Sequence, residues 1–242
     1  MISKNIKKVL VYTTICLCSF LYGYTSITQE AIATERSGIS DFDLFGKLSN
    51  SLSDLNLDEK VDLTDKYNNA KSISNSVIGW IYIPSTQINY PIAHGQNSYY
   101  LNRTWDGKSS LAGSIFMDEG QMDWGTSNLI HGHNMKNGTM FTDLKNYFEA
   151  DFFKANVPIY IYDGTTTRKF QVISLFKTDP SISFKFNVPE NDVQSYASEL
   201  KSKSVYATPD VSSRPLIILN TCVSDGSDNH YIIVGQEVDY EQ

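Results

Sequence analysis

The chain has 242 residues, 41% of them hydrophobic and 12% aromatic, with a formal charge of −7. That length suits one domain with appendages, and that composition is enough for a packed core. The acidic balance excludes a nucleic-acid binder, whose phosphate partners need a basic face.

Residues 1–8 carry Lys4, Lys7 and Lys8 and no acid. "VLVYTTICLCSFLYGYTSI" follows, Val9 to Ile27, 19 residues without a charge. A helix needs about 20 mostly apolar residues to cross a bilayer. Basic residues stay on the cytoplasmic side. Residues 1–8 are therefore expected inside and 9–28 in the membrane as an uncleaved signal-anchor, with all that follows outside. The run exceeds the 7–15 residues usual for a cleaved signal peptide. Without its three N-terminal lysines the chain holds 17 basic residues against 27 acidic ones.

Residues 29–76 read as an extracellular stalk with N-terminal helices. Phe42, Phe45, Leu48 and Leu52 fall on one helical face, at intervals of three and four. A second short helix is expected after Asp58.

From Val77 the signals turn to strands. "VIGWIYI", "INYPIA", "GSIFMD", "TSNLIHGHN", "VPIYIYD", "RKFQVISLFKT", "PLIILNT" and "HYIIVGQEV" are eight short apolar runs with turn residues between them. That count suggests a small closed barrel or a sandwich. "GTTT" reads as a hairpin turn. "TMFTDLKNYFEADFFKAN" and "NVPENDVQSYASELKSKS" read as helical inserts. Asn187 with Glu190 resembles a capping box, and Val193, Tyr196 and Leu200 form an apolar stripe.

Three cysteines and four histidines bound the chemistry. Cys16 and Cys18 lie in the apolar run, which leaves Cys222 alone in the exported part. Exported cysteines usually pair, so Cys222 is either a small core residue or a reactive thiol. On a strand, His131 and His133 of "LIHGHNM" would share a face. Zinc wants a third protein ligand, and no cluster supplies one. "MDEGQMD" (Met117–Asp123) reads as a solvated acidic loop in preference to a calcium site. No metal and no cofactor is expected. A histidine beside Cys222 would stabilise the thiolate and protonate a leaving amine.

Several segments in order carry a resemblance. These are "GWIYIP…INYP", "AGSIFMD", "GHNMKNGTMFTDLKNY", "LNTC" and "YIIVG". From about Val77 to Gly235 the chain resembles the sortases, class B in particular. The resemblance implies a mainly β fold: a closed eight-stranded barrel over residues 77–242, with N-terminal helices and a helix in the long loop between the sixth and seventh strands. It implies a membrane-anchored extracellular cysteine transpeptidase of the thiol-protease type in a Gram-positive cell wall. Such an enzyme cleaves a C-terminal sorting motif after Thr and passes the acyl group to a cell-wall amine. Its partners would be surface proteins bearing that signal and a precursor amine (lipid II or a peptidoglycan cross-bridge).

Residue by residue, the resemblance makes Cys222 the nucleophile and His133 the general acid/base. The Val223 N–H becomes the oxyanion donor, and Thr221 would line the groove beside the cysteine. His131 has no family role and reads as a partly exposed strand histidine. One position departs from the pattern. Where these enzymes place an arginine, directly before "YIIVG", this chain has His230. Arginine offers a permanently charged fork of donors, whereas neutral imidazole offers one. The alternatives are His230 as a weaker donor, an arginine from elsewhere (Arg103, Arg168 or Arg214), or a slow or inactive sortase-like binding module. A cysteine peptidase that passes the acyl group to water is a further alternative.

Overall fold

A computed structural model describes residues 60–223 and 227–240. The expected cytoplasmic tail, membrane anchor and first stalk helix lie outside the described residues. Among the described residues no helix is long and apolar enough to cross a membrane.

Eight strands are present: β1 (Val77–Tyr82), β2 (Asn89–His94), β3 (Ile115–Met117), β4 (Ser127–His131), β5 (Ile159–Tyr162), β6 (Thr167–Thr178), β7 (Leu216–Cys222) and β8 (His230–Val238). They close into a barrel in the order β1-β2-β3-β4-β7-β8-β6-β5. The β2/β3 and β4/β7 pairs are parallel and the others antiparallel. All eight apolar runs of the sequence became strands, because each is short, carries β-branched or aromatic residues and is bounded by turn-forming residues. "GTTT" is the expected hairpin: Asp163 N–H donates to the Thr166 carbonyl, and Gly164 takes a φ of +95°.

The helices are short. α1 (Thr64–Ile73) follows Asp62, whose Oδ1 accepts the Thr64 N–H at 2.9 Å. α2 spans Asn97–Tyr100. The first helical insert folds as a 3₁₀ segment (Thr142–Phe148) and a single short α-helix, α3 (Ala150–Lys154). The second gives α4 (Glu190–Lys201) in the loop between β6 and β7. Its start corrects the capping-box expectation. Pro189 is the cap residue, no side chain caps the helix, and Asn187 lies outside it with φ +49°. Proline's fixed φ suits the helix edge and begins the helix three residues after Asn187.

Alternation separates the two largest clusters of the core. Ile81, Ile92, Ile115, Ile130, Leu219 and Ile233 fill the barrel interior. Leu129, Ile218, Ile232 and Val234 face outward and pack under α4 through Val193, Tyr196 and Leu200. Leu200 is 2% exposed, so Leu200→Ala should cost about 2–5 kcal/mol. The check is a fall in the urea midpoint with an unchanged slope.

Candidate active site

The outward face continues past the α4 contact and becomes polar. His131 lies two residues beyond Leu129 on β4, and Asn220 and Cys222 lie two and four beyond Ile218 on β7. His230 lies two before Ile232 on β8. Side chains alternate along a strand, so all four share that face. Strand register pairs His131 with Asn220 and Cys222 with His230.

Cys222 is exposed at the end of β7 and is the free cysteine among the described residues. Its Sγ lies 3.9 Å from His230 Nε2. His230 Nδ1 is 2.7 Å from Asn220 Oδ1. Asn220 Nδ2 is 3.2 Å from His131 Nδ1. His131 Nε2 is 2.8 Å from Asp118 Oδ2. Burial, then the neighbouring His131, pushes His230 below the ordinary imidazole range, which favours its neutral form.

His133 sits beyond the end of β4, which stops at His131, so the two histidines do not share a strand face as expected. Its Nε2 is 2.9 Å from the Leu101 carbonyl, and its own carbonyl accepts the Phe141 N–H at 2.9 Å. The next residue, Asn134, donates from Nδ2 to the Cys222 carbonyl at 2.8 Å. That bond ties the histidine loop to the cysteine strand. Gly132 makes the path possible: a Cβ there would collide with Ile115 Cδ1 and the Phe141 ring.

Two other expected site residues are placed differently. Thr221 does not line the groove. It alternates to the opposite face from Cys222, is 2% exposed, and its Oγ1 is buried without a hydrogen-bond partner. The Val223 N–H donates to the Asn229 carbonyl at 2.8 Å, closing the β7–β8 turn. It is therefore engaged and not open to an oxyanion in this conformation.

The three arginines separate clearly. Arg168 donates to both Glu237 carboxylate oxygens, and Arg214 pairs with Asp239. Glu237 lies seven residues along β8 from His230, roughly 24 Å at strand rise. Neither arginine reaches Cys222. Arg103 stacks on Tyr99 and lies two residues from Leu101, the His133 partner. Tyr99 near the end of α2, and Leu101 and Leu111 in the segment after it, are exposed apolar side chains. Their exposure was not legible in the sequence, because isolated apolar residues give no periodic signal.

His131 is the partly exposed strand histidine expected, and Asp118 holds it in place. The His131 hydrogen bond, opposed by burial, brings the Asp118 carboxyl from 3.8 down to about 2. The folded chain thus binds that proton less well than the unfolded chain. The associated stability is full above about pH 4 and drains as the pH falls towards 2. Partial exposure limits it to about 1 kcal/mol. Asp118→Asn should therefore lose about that much at pH 6, with wild type and variant converging near pH 2. Denaturant titrations across that range check it.

The sortase domain family matches residues 81–238. The chain belongs to the sortase family, class B. It is 32% identical to sortase B of Listeria monocytogenes over 169 residues, which is 66% of this chain and 68% of that one. It is 28% identical to sortase B of Staphylococcus aureus over 145 residues, 58% and 59% of the two chains. Among solved structures, Clostridium perfringens sortase B superposes with a TM-score of 0.65 at 28% identity, over 71% of this chain and 99% of the other. Enzymes of the sortase family are cysteine transpeptidases, and the closed eight-stranded barrel with a helix between its sixth and seventh strands is the fold of this class B sortase.

Proposed function

We propose that this sortase is a membrane-anchored extracellular transpeptidase that cleaves a C-terminal sorting motif after Thr. In this reading the Cys222 thiolate attacks the threonine carbonyl carbon. The C–N bond breaks, and His133 gives a proton to the leaving amine. A thioester remains on Cys222. An amine of lipid II or of a peptidoglycan cross-bridge attacks it, loses a proton to His133 and carries the acyl group away. The observation that carries this reading is an exposed thiol at a strand end, with an imidazole 3.9 Å away and the "GHN" loop tied to its carbonyl. The apolar run Val9–Ile27 supports the anchor.

The test incubates the full chain in detergent with candidate sorting peptides, with and without an amine, and reads intact mass. An adduct on Cys222 that the amine converts to a ligated product supports the proposal. Hydrolysis that the amine does not divert makes the chain a peptidase. Binding without an adduct favours a surface binding module. Two observations motivate that last reading: His230 occupies the arginine position, and the Val223 N–H is engaged by Asn229.

A further inference from the structure

The polar row behind Cys222 has a direction, and Asp118 sets it. A carboxylate accepts hydrogen bonds, so His131 Nε2, 2.8 Å from Asp118 Oδ2, carries a proton. In neutral His131 the other nitrogen, Nδ1, is then an acceptor. It faces the Asn220 amide nitrogen at 3.2 Å, which donates to it. The amide oxygen of Asn220 therefore faces His230 Nδ1 at 2.7 Å and must receive a proton from it. Neutral His230 is left with an unprotonated Nε2, and that lone pair faces Cys222 Sγ at 3.9 Å. Reversing the Asn220 amide would turn an imidazole lone pair toward the Asp118 carboxylate, which is repulsive.

We propose that His230 is the proton acceptor for the Cys222 thiol, with Asn220, His131 and Asp118 as positioning residues that fix its tautomer. One proton moves, from Sγ to His230 Nε2, giving a thiolate and an imidazolium. The three bonds behind it orient the ring and stay as they are, because Asn220 Oδ1 accepts from His230 Nδ1 in either state. Bonds that all donate in one direction polarise one another, which favours the charged form of His230 when it arises. Burial holds the resting ring neutral, so it waits as a base.

The protonated ring then supplies Nε2–H where the family's arginine would stand. His230 thus serves first as acceptor and then as donor, two tasks that an always-charged guanidinium cannot combine. This leaves His133, on the separate loop, to serve the leaving and incoming amines. When the acceptor amine displaces the thiolate, the proton on His230 returns to Sγ.

The inference rests on the transpeptidase reading for its chemistry, but its test needs no peptide. The full chain is alkylated with iodoacetamide at pH 7, and the rate at Cys222 is followed by peptide mass. His230→Ala should slow that rate at least tenfold and Asn220→Ala at least threefold. His133→Ala should stay within twofold of wild type. A slow His133→Ala with a wild-type rate in His230→Ala would overturn the proposal.

A second measurement reads the tautomer in the wild-type chain, before any substitution. The chain has four histidines, so histidine-selective ¹⁵N labelling gives at most four imidazoles to resolve. His230 should show the Nδ1–H tautomer, and Asp118→Ala should weaken that preference from three residues away along the row. An Nε2–H tautomer in the wild type would refute the assignment. A chain that meets both expectations yet acylates no sorting peptide would lose the transpeptidase reading and keep His230 as the proton acceptor.

Discussion

Cys222→Ala should form no thioester with any sorting peptide and should lower turnover by about 10⁴-fold or more. The reason is chemical and not structural. Cys222 is exposed at the last position of β7. Its removal leaves no cavity, because the residues that pack that end of the strand, Leu219 and Ile218, are untouched. The urea midpoint should therefore stay within about 0.5 kcal/mol of wild type. Intact mass after incubation with peptide reads the first expectation and a denaturant titration the second. A thioester on the variant is impossible. An undiminished rate of peptide turnover would mean that the chemistry lies elsewhere.

His133→Ala should lower transpeptidation of an amide substrate by about 10²–10⁴-fold, the range for loss of a positioned general acid. The loop itself should hold, because its tie to Phe141 uses the His133 backbone carbonyl and its tie to Cys222 uses Asn134. The sharper check compares leaving groups. An amine must be protonated to leave, whereas an activated ester need not be. Thioacyl formation from the ester should therefore be nearly unchanged in His133→Ala, while formation from the amide collapses. Equal losses on both substrates would assign His133 to the attack and not to the departure.

Most of the fold was legible in the sequence because short apolar runs bounded by turn residues are a local property. "LIILNTC" and "HYIIVG" declare themselves as strands whatever they pair with. The site was only half legible, and for a related reason. Cys222 stood out by its isolation, and "GHNM" and "LNTC" carried the resemblance. Asn220 could have been flagged, since it shares a strand face with Cys222 by simple alternation. His131 and Asp118 could not. Their relation to Asn220 depends on a parallel pairing between segments some 89 residues apart, and nothing local encodes it. Thr221 misled for the opposite reason: adjacency to the nucleophile in sequence is opposition across the sheet. Asn187 misled because a three-residue spacing fits a cap, yet Pro189 takes that place.

Closure of the barrel bears on how securely this geometry is kept. In an open sheet, β7 could slide by one residue against β4 at the cost of a few hydrogen bonds. Such a slide would turn Cys222 inward and Thr221 outward. In a closed ring the stagger is a property of all eight strands together, and one seam cannot shift unless another compensates. The contacts from Asp118 to Cys222 span four strand neighbours, β3-β4-β7-β8, within that ring. Their alignment is thus enforced by the topology of the whole molecule, and substitutions at a distant seam such as β1/β5 can unfold this protein more readily than they can misalign its thiol.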